Sequence, residues 1–265
     1  MKLVRIVTSD GEVLNGVQND EGKVFRALGS IEEGFRSTSE ALLPKKFLAP
    51  VVPVMLWAIG LNYRRHAQET GGVPPERPVV FAKGINAVQN PDDPILLPRT
   101  GSGKVDYEAE LAVVIGRSCK NVSRERAFEY VAGYTCANDV SARDWQLQWG
   151  GTQWSRGKSF DTFAPLGPCL ITPESLPDPR RLHISTILND EIVQDCNTCD
   201  MIFDVPTLIE FLSADTTLLP GTVILTGTPH GVGMARRPPR WLVPGDRVSI
   251  VIEGIGTLSN PVAAA

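Results

Sequence analysis

The chain has 265 residues, 42% of them hydrophobic and 21% charged, with a formal charge of −4; it is long enough to bury a full core and is composed like a folded globular protein. No basic run or stripe stands out to neutralise phosphates, so nucleic acid is not an expected partner. Five cysteines, odd in number and scattered, suit reduced thiols better than a disulfide framework.

The N-terminus, MKLVRIVTSDGEV, alternates apolar and polar residues and meets a turn signal at Asp10-Gly11. It reads as a strand and not as a signal peptide, which makes the cytoplasm the expected location. A second short strand near Lys23 to Phe25 follows a turn region from Asn15 to Gly22, and SIEEGFRSTSEALL reads as a helix before Pro44 opens a connection. Residues 1–50 are therefore expected to form a small N-terminal α/β subdomain. Phe47 to Gly60, FLAPVVPVMLWAIG, falls short of the roughly 20 residues of a spanning helix and carries two prolines, so it reads as core and no membrane partner is expected.

From Val51 onward short segments rich in β-branched residues follow one another: VMLWAIGL, PVVFAKG, YEAELAVVIG, VAGYTCAND, LGPCLIT, HISTILND, GTVILTGT and RVSIVIEGIG. Helical patterns are few: Arg64 to Thr70, Ser123 to Phe128, Ser141 to Gln148, and the amphipathic VPTLIEFLSAD from Val205 to Asp215. Strands do not alternate with long helices, which disfavours a doubly wound parallel sheet. The pattern predicts an α+β, mostly β fold on a folded-over or barrel-like sheet spanning residues 51–265.

Within VDYEAELAVVIG (105–116), Asp106, Glu108 and Glu110 share one face of a strand. The strand then becomes apolar on both faces, as a strand covered on both sides does. One reading is a half-solvated acidic face. The other is a site where carboxylates crowded at the mouth of an apolar interior, mutually repelling and costly to desolvate, gather around a divalent cation such as Mg²⁺ or Mn²⁺. A third ligand would come from a neighbouring strand end, where Asp139 stands in VAGYTCANDVSARDW; a helix cap at Asn138, Asp139 or Ser141 is the plainer reading of that segment.

IGLNYRRHAQETG (59–71), VDYEAELAVVIG (105–116), and YVAGYTCANDVSARDWQ with GGTQWSRGKSFDTFAPLGP (130–168) resemble the catalytic domain of the fumarylacetoacetate hydrolase family. DMIFDVPTLIEFLS, PGTVILTGTPHGVG and PGDRVSIVIEGIGTL continue the likeness towards the C-terminus. The resemblance implies a mixed β-sheet roll that dimerises, with one Mg²⁺ or Mn²⁺ per subunit at its mouth. It places the metal ligands on Glu108, Glu110 and Asp139 and leaves Asp106 outside them, at the rim. The name-giving branch has a fourth carboxylate where this chain reads GLNY. The likeness is closer to the short bacterial-type members, acylpyruvases and 2-hydroxyhepta-2,4-diene-1,7-dioate isomerases, which act on small 2-oxo acids and their enols.

A 2-oxo acid can chelate a metal through its carboxylate and keto oxygens, and the metal then stabilises the enolate. The leading expectation is a hydrolase cleaving a carbon-carbon bond in a 2,4-dioxo or 2-oxo acid such as an acylpyruvate or fumarylpyruvate. Alternatives are an isomerase of 2-hydroxyhepta-2,4-diene-1,7-dioate, a decarboxylase of 5-oxopent-3-ene-1,2,5-tricarboxylate or of oxaloacetate in aromatic-compound catabolism, and, from another class, a catalytically degenerate protein that binds a small acid. His66 and Glu69 stand at i and i+3, so one helical turn sets them on the same face; a surface histidine on a polar helix has the same spacing, and the likeness favours a general base oriented by a carboxylate. Glycines at 60, 71 and 72 flank that segment and suit a lid. The family pattern singles out Lys158 for a substrate oxygen and Gln146 for the substrate's distal carbonyl. Thr228 follows a buried strand where its hydroxyl can meet the substrate carboxylate, or is a turn threonine before proline. Arg64, Arg143 and Arg156 are candidates for a second carboxylate; His230 and the Cys196–Cys199 pair have no assigned role.

Overall fold

The computed structural model describes residues 1–100 and 103–265. The first fifty residues hold five strands, β1 (Lys2–Val7), β2 (Val13–Gln18), β3 (Val24–Ser30), β4 (Gly34–Leu42) and β5 (Lys46–Leu48). No helix lies among them: the segment expected to be helical is β4, an edge strand paired with β3, and half of the expected turn region is β2. Most residues of β4 face solvent, so neither a period of two nor of 3.6 is visible in it; pairing with β3, not local preference, decides its conformation.

The rest of the chain supplies β6 (Met55–Gly60), β7 (Val79–Lys83), β8 (Val88–Gln89), β9 (Ile95–Leu97), β10 (Val105–Asp106), β11 (Ala109–Ile115), β12 (Val131–Asn138), β13 (Ser141–Ala142) and β14 (Ala164–Ile171). After these come β15 (His183–Leu188), β16 (Glu191–Asn197), β17 (Thr222–Leu225), β18 (Arg247–Ile252) and β19 (Gly256–Ala264). The α-helices are short: α1 (Arg64–Glu69), α2 (Ser155–Lys158) and α3 (Val205–Ser213). The fold is mostly β with mixed sheets. The large sheet runs β4-β3-β2-β1-β14-β12-β11-β17-β6-β7, parallel only between β17 and β6 along this path, and a second sheet runs β16-β15-β18-β19-β9.

β11 is the centre of this arrangement. It pairs with β12 on one side and β17 on the other, and strands of the second sheet cover its face, so all seven of its residues are buried. The apolar run LAVVI is therefore a covered strand; each of Leu111, Val113 and Ile115 contributes about 1.5–3 kcal/mol by leaving water. The acidic run is not one continuous strand. Val105-Asp106 pairs with Ser141-Ala142, and the ladder resumes only at Ala109 opposite Asn138. That pairing also takes Ser141 and Ala142 out of the expected helix, which begins at Arg143 and widens into a π-turn at Trp145–Trp149.

Candidate active site

The N-terminal end of β11 and the C-terminal ends of β12 and β17 meet at one place, and the acids stand there. Ligand oxygens of Glu108, Glu110 and Asp139 all lie within 4.8 Å of one another, and all three residues are buried. Among the described residues this is the grouping of histidine, cysteine, aspartate and glutamate close enough to share an ion. The donors are all carboxylate oxygens, the set that suits a hard divalent cation such as Mg²⁺ or Mn²⁺. Backbone contacts fix the cluster: Glu108 N donates to Asn138 Oδ1 at 3.0 Å and Asp139 N to Glu108 O at 2.9 Å.

Three cations surround the acids. Lys158 Nζ lies 2.8 Å from Glu108 Oε2 and 2.7 Å from Asp139 Oδ2. Lys83 Nζ, at the end of β7, lies 2.5 Å from Asp139 Oδ1 and donates to Val140 O at 3.2 Å. Arg143 bridges Glu108 Oε1 at 2.7 Å and Asp106 Oδ2 at 2.8 Å, and donates to Gln146 Oε1 at 2.9 Å. Asp106 is thus not at the rim; it is fully buried and anchors Arg143, its carboxylate also accepting from the backbone N–H of Tyr107, Gly233 and Met234.

These surroundings divide the acids electrically. Burial pushes the Glu108 carboxyl up, but Lys158, Arg143 and His66 outweigh it and hold it down at about 2. Burial, reinforced by the charges of Asp139 and Glu108, pushes Glu110 well above the usual carboxylate range. Burial lowers Lys83, only partly offset by Asp139, whereas Asp139 and Glu108 overcome burial to raise Lys158.

The loop from Thr226 to Met234 braces the acids with its peptide groups. Gly227 N donates to Glu110 Oε2 at 2.6 Å, Gly231 N to Glu69 Oε1 at 2.8 Å, and Gly233 N to Asp106 Oδ1 at 2.7 Å. Three positions require glycine: Gly227 has φ +99° and a Cβ there would meet Asn62 Cβ at 2.7 Å, Gly231 has φ +98° and a Cβ would run into Val193 O, and at Gly233 a Cβ would run into Arg240 O and meet Asp106 Oδ1 at 2.6 Å. Gln194 holds the same loop to β11, donating to Thr228 Oγ1 at 2.9 Å and accepting from Ala109 N at 2.9 Å.

His66 and Glu69 share a face of α1, with His66 Nδ1 3.3 Å from Glu69 Oε2. His66, Glu108, Asp139, Arg143, Gln146, Lys158 and Thr228 all line one cavity of about 340 Å³. Arg64 and Arg156 lie elsewhere. Arg64 donates to the carbonyls of Asp200 and Met201 and lines a separate cleft. Arg156 stacks over Phe160, 3.9 Å from the ring centroid. Lys83 and Gln194 are site residues that pattern reading does not reveal. For Lys83 the only trace is a lysine closing the apolar strand VVFAK, and it is 2% exposed. The cysteines are all free thiols, with Cys196 buried and Cys199 exposed.

A family description, Fumarylacetoacetate (FAA) hydrolase C-terminal, matches residues 55–263. The chain belongs to the fumarylacetoacetate hydrolase family. Oxaloacetate tautomerase Fahd2a, mitochondrial, of Rattus norvegicus is 47% identical over 225 residues, covering 83% of this chain and 71% of that protein. Among solved structures, 5-carboxymethyl-2-hydroxymuconate delta-isomerase from Mycobacterium smegmatis is 40% identical with a TM-score of 0.88, and fumarylacetoacetate hydrolase from psychrophilic Exiguobacterium antarcticum is 35% identical with a TM-score of 0.90. Both comparisons cover 100% of each chain. Within this family the buried Glu108, Glu110 and Asp139 are a site able to hold a divalent metal. No helix among the described residues is long and apolar enough to cross a membrane.

Proposed function

We propose that the protein is a divalent-metal-dependent enzyme that interconverts the keto and enol forms of a small 2-oxo acid, with oxaloacetate as the first substrate to try. The observation that carries this reading is the single cavity in which His66, paired with Glu69, shares space with Glu108 and Asp139 of the carboxylate cluster. The names of the relatives, an oxaloacetate tautomerase and an isomerase, supply the substrate class. A Mg²⁺ or Mn²⁺ ion held by Glu108, Glu110 and Asp139 supplies charge stabilisation for the oxygen on which an enolate develops.

The chain's own residues do the rest. Glu69, braced by Gly231 N–H, orients the His66 ring through Nδ1 and steadies it when protonated, leaving Nε2 to take a proton from the carbon beside the keto group. The same imidazolium returns the proton to the oxygen, so one base completes the conversion. Lys158, Gln146 and Thr228 present polar groups to the substrate's oxygens from the cavity wall. Hydrolysis asks for more, a positioned water and a departing carbon.

A carbon-carbon bond hydrolase is the second reading, favoured by a different observation. Ile59, Leu61, Phe81, Leu147, Trp154 and Met234 make an apolar wall that a four-carbon diacid leaves unused and an acylpyruvate side chain fills. One set of assays separates the readings: enol absorbance of oxaloacetate, and pyruvate release from acylpyruvates, with Mn²⁺-loaded protein. Faster enol-to-keto conversion than in buffer, abolished in His66→Ala, supports the tautomerase. Pyruvate release supports the hydrolase, and inertness in both assays favours a binding protein. A cytoplasmic homodimer completes the proposal, supported by the free thiols and by exposed Leu147 and Trp149 near the cavity.

A further inference from the structure

The carboxylate oxygens of the cluster are not equivalent. Each of the three acids has one oxygen held from outside: Glu108 Oε1 by Arg143 at 2.7 Å, Asp139 Oδ1 by Lys83 at 2.5 Å, and Glu110 Oε2 by Gly227 N at 2.6 Å. The other oxygens of Glu108 and Asp139 share a single partner, the Lys158 ammonium, at 2.8 and 2.7 Å.

We propose that Lys158 is a built-in cation holding Glu108 Oε2 and Asp139 Oδ2 together in the metal-free protein, and that a divalent ion takes its position, releasing the ammonium into the cavity for the substrate. The inference rests on the metal reading above. Two buried carboxylates without a cation between them repel and destabilise the fold, and Lys158 removes that cost while no ion is bound. A divalent ion carries twice the charge and prefers carboxylate oxygen, so it displaces the ammonium from the shared position. Arg143, Lys83 and the Gly227 peptide bind the opposite oxygens and keep the carboxylates oriented throughout. The released ammonium has a place to go: Lys158 Nζ already lies 5.2 Å from the centroid of the Phe81 ring, which also lines the cavity.

Calorimetric titration of Mn²⁺ into metal-stripped wild type, Lys158→Met and Lys83→Met, at one pH, tests this, with melting temperatures of the stripped proteins measured alongside. Wild type is expected to bind Mn²⁺, and Lys158→Met to melt lower when stripped yet bind about tenfold more tightly or better, the scale of a charged hydrogen bond no longer broken. Lys83→Met removes the same charge without vacating the shared position and is expected to bind no more tightly than wild type. Equal tightening in both variants would reduce Lys158 to a general repulsive charge and overturn the proposal, as would unchanged affinity in Lys158→Met; in either case the metal reading survives. If wild type takes no Mn²⁺, the metal reading itself fails and the proposal falls with it. Should Lys158→Met not fold, a crystal structure of wild type with Mn²⁺ decides: Nζ out of hydrogen-bonding distance of Glu108 Oε2 and Asp139 Oδ2 supports displacement, and Nζ still bridging both refutes it.

Discussion

His66 and Arg143 line the same cavity, yet replacing them should fail in opposite ways. His66 is bonded to Glu69 and reaches Glu108 only by its charge through space, so His66→Ala is expected to lower kcat by about 10²–10⁴, the range of a lost general base, while Mn²⁺ still binds. Steady-state kinetics beside a metal titration checks both halves. Arg143 instead pairs with two buried acids, Asp106 and Glu108, and its removal leaves both without that partner. Arg143→Ala is expected to cost about 3–5 kcal/mol of folding stability, read by urea denaturation. The two glutamates were legible in the sequence because acids two apart, leading a strand apolar on both faces, are hard to explain as surface, and because the family resemblance set them apart from Asp106. Asp106 was not: alternation put it on their face, but only the buried pairing with Arg143, 37 residues later, shows that it supports the site from behind. Lys83 was illegible for the same reason, since its partner Asp139 lies 56 residues away and a lone lysine defaults to the surface.

Among the helices, α3 is stapled by Asp204, the residue just before it. Asp204 accepts from Thr207 N at 3.1 Å and Thr207 Oγ1 at 2.6 Å, and pairs with Arg124 at 2.6 Å. Burial pushes this carboxyl up, but the Thr207 bonds and Arg124 outweigh it, so it titrates below its ordinary value. Its stabilisation is therefore fully present above the ordinary aspartate range and lost as pH falls through the lower folded value. Asp204→Ala is expected to cost about 1 kcal/mol at neutral pH, the loss of a helix cap, and the gap to wild type in thermal melts should close in strong acid. Helix α3 could be read from its sequence because one face is apolar at a period of 3.6. The β4 segment and Ser141-Ala142 could not, because strand partners distant in the chain override local preference in both.

At the scale of the molecule, the first fifty residues are joined to the rest through β1, which pairs with β14 and sends Leu3, Val4 and Ile6 into the core. A chain beginning at residue 51 would leave the β14 edge open and those core contacts unmade. Such a truncation is expected to aggregate, which size-exclusion chromatography would show. The mostly β architecture was legible in the succession of short β-branched segments; the joining of the sheet across β1 and β14 was not, because it depends on which edge is left free. The loop from Thr226 to Met234 carries a consequence for how such an enzyme changes its diet. Its hold on Glu110, Glu69 and Asp106 is made entirely by peptide N–H groups, which every residue except proline possesses. Of its side chains on the cavity, Met234 is therefore at liberty to vary, whereas Thr228 is held by Gln194. A lineage can exchange Met234 to suit a new acid and inherit the placing of Glu110, Glu69 and Asp106 intact, so long as Gly227, Gly231 and Gly233 stay.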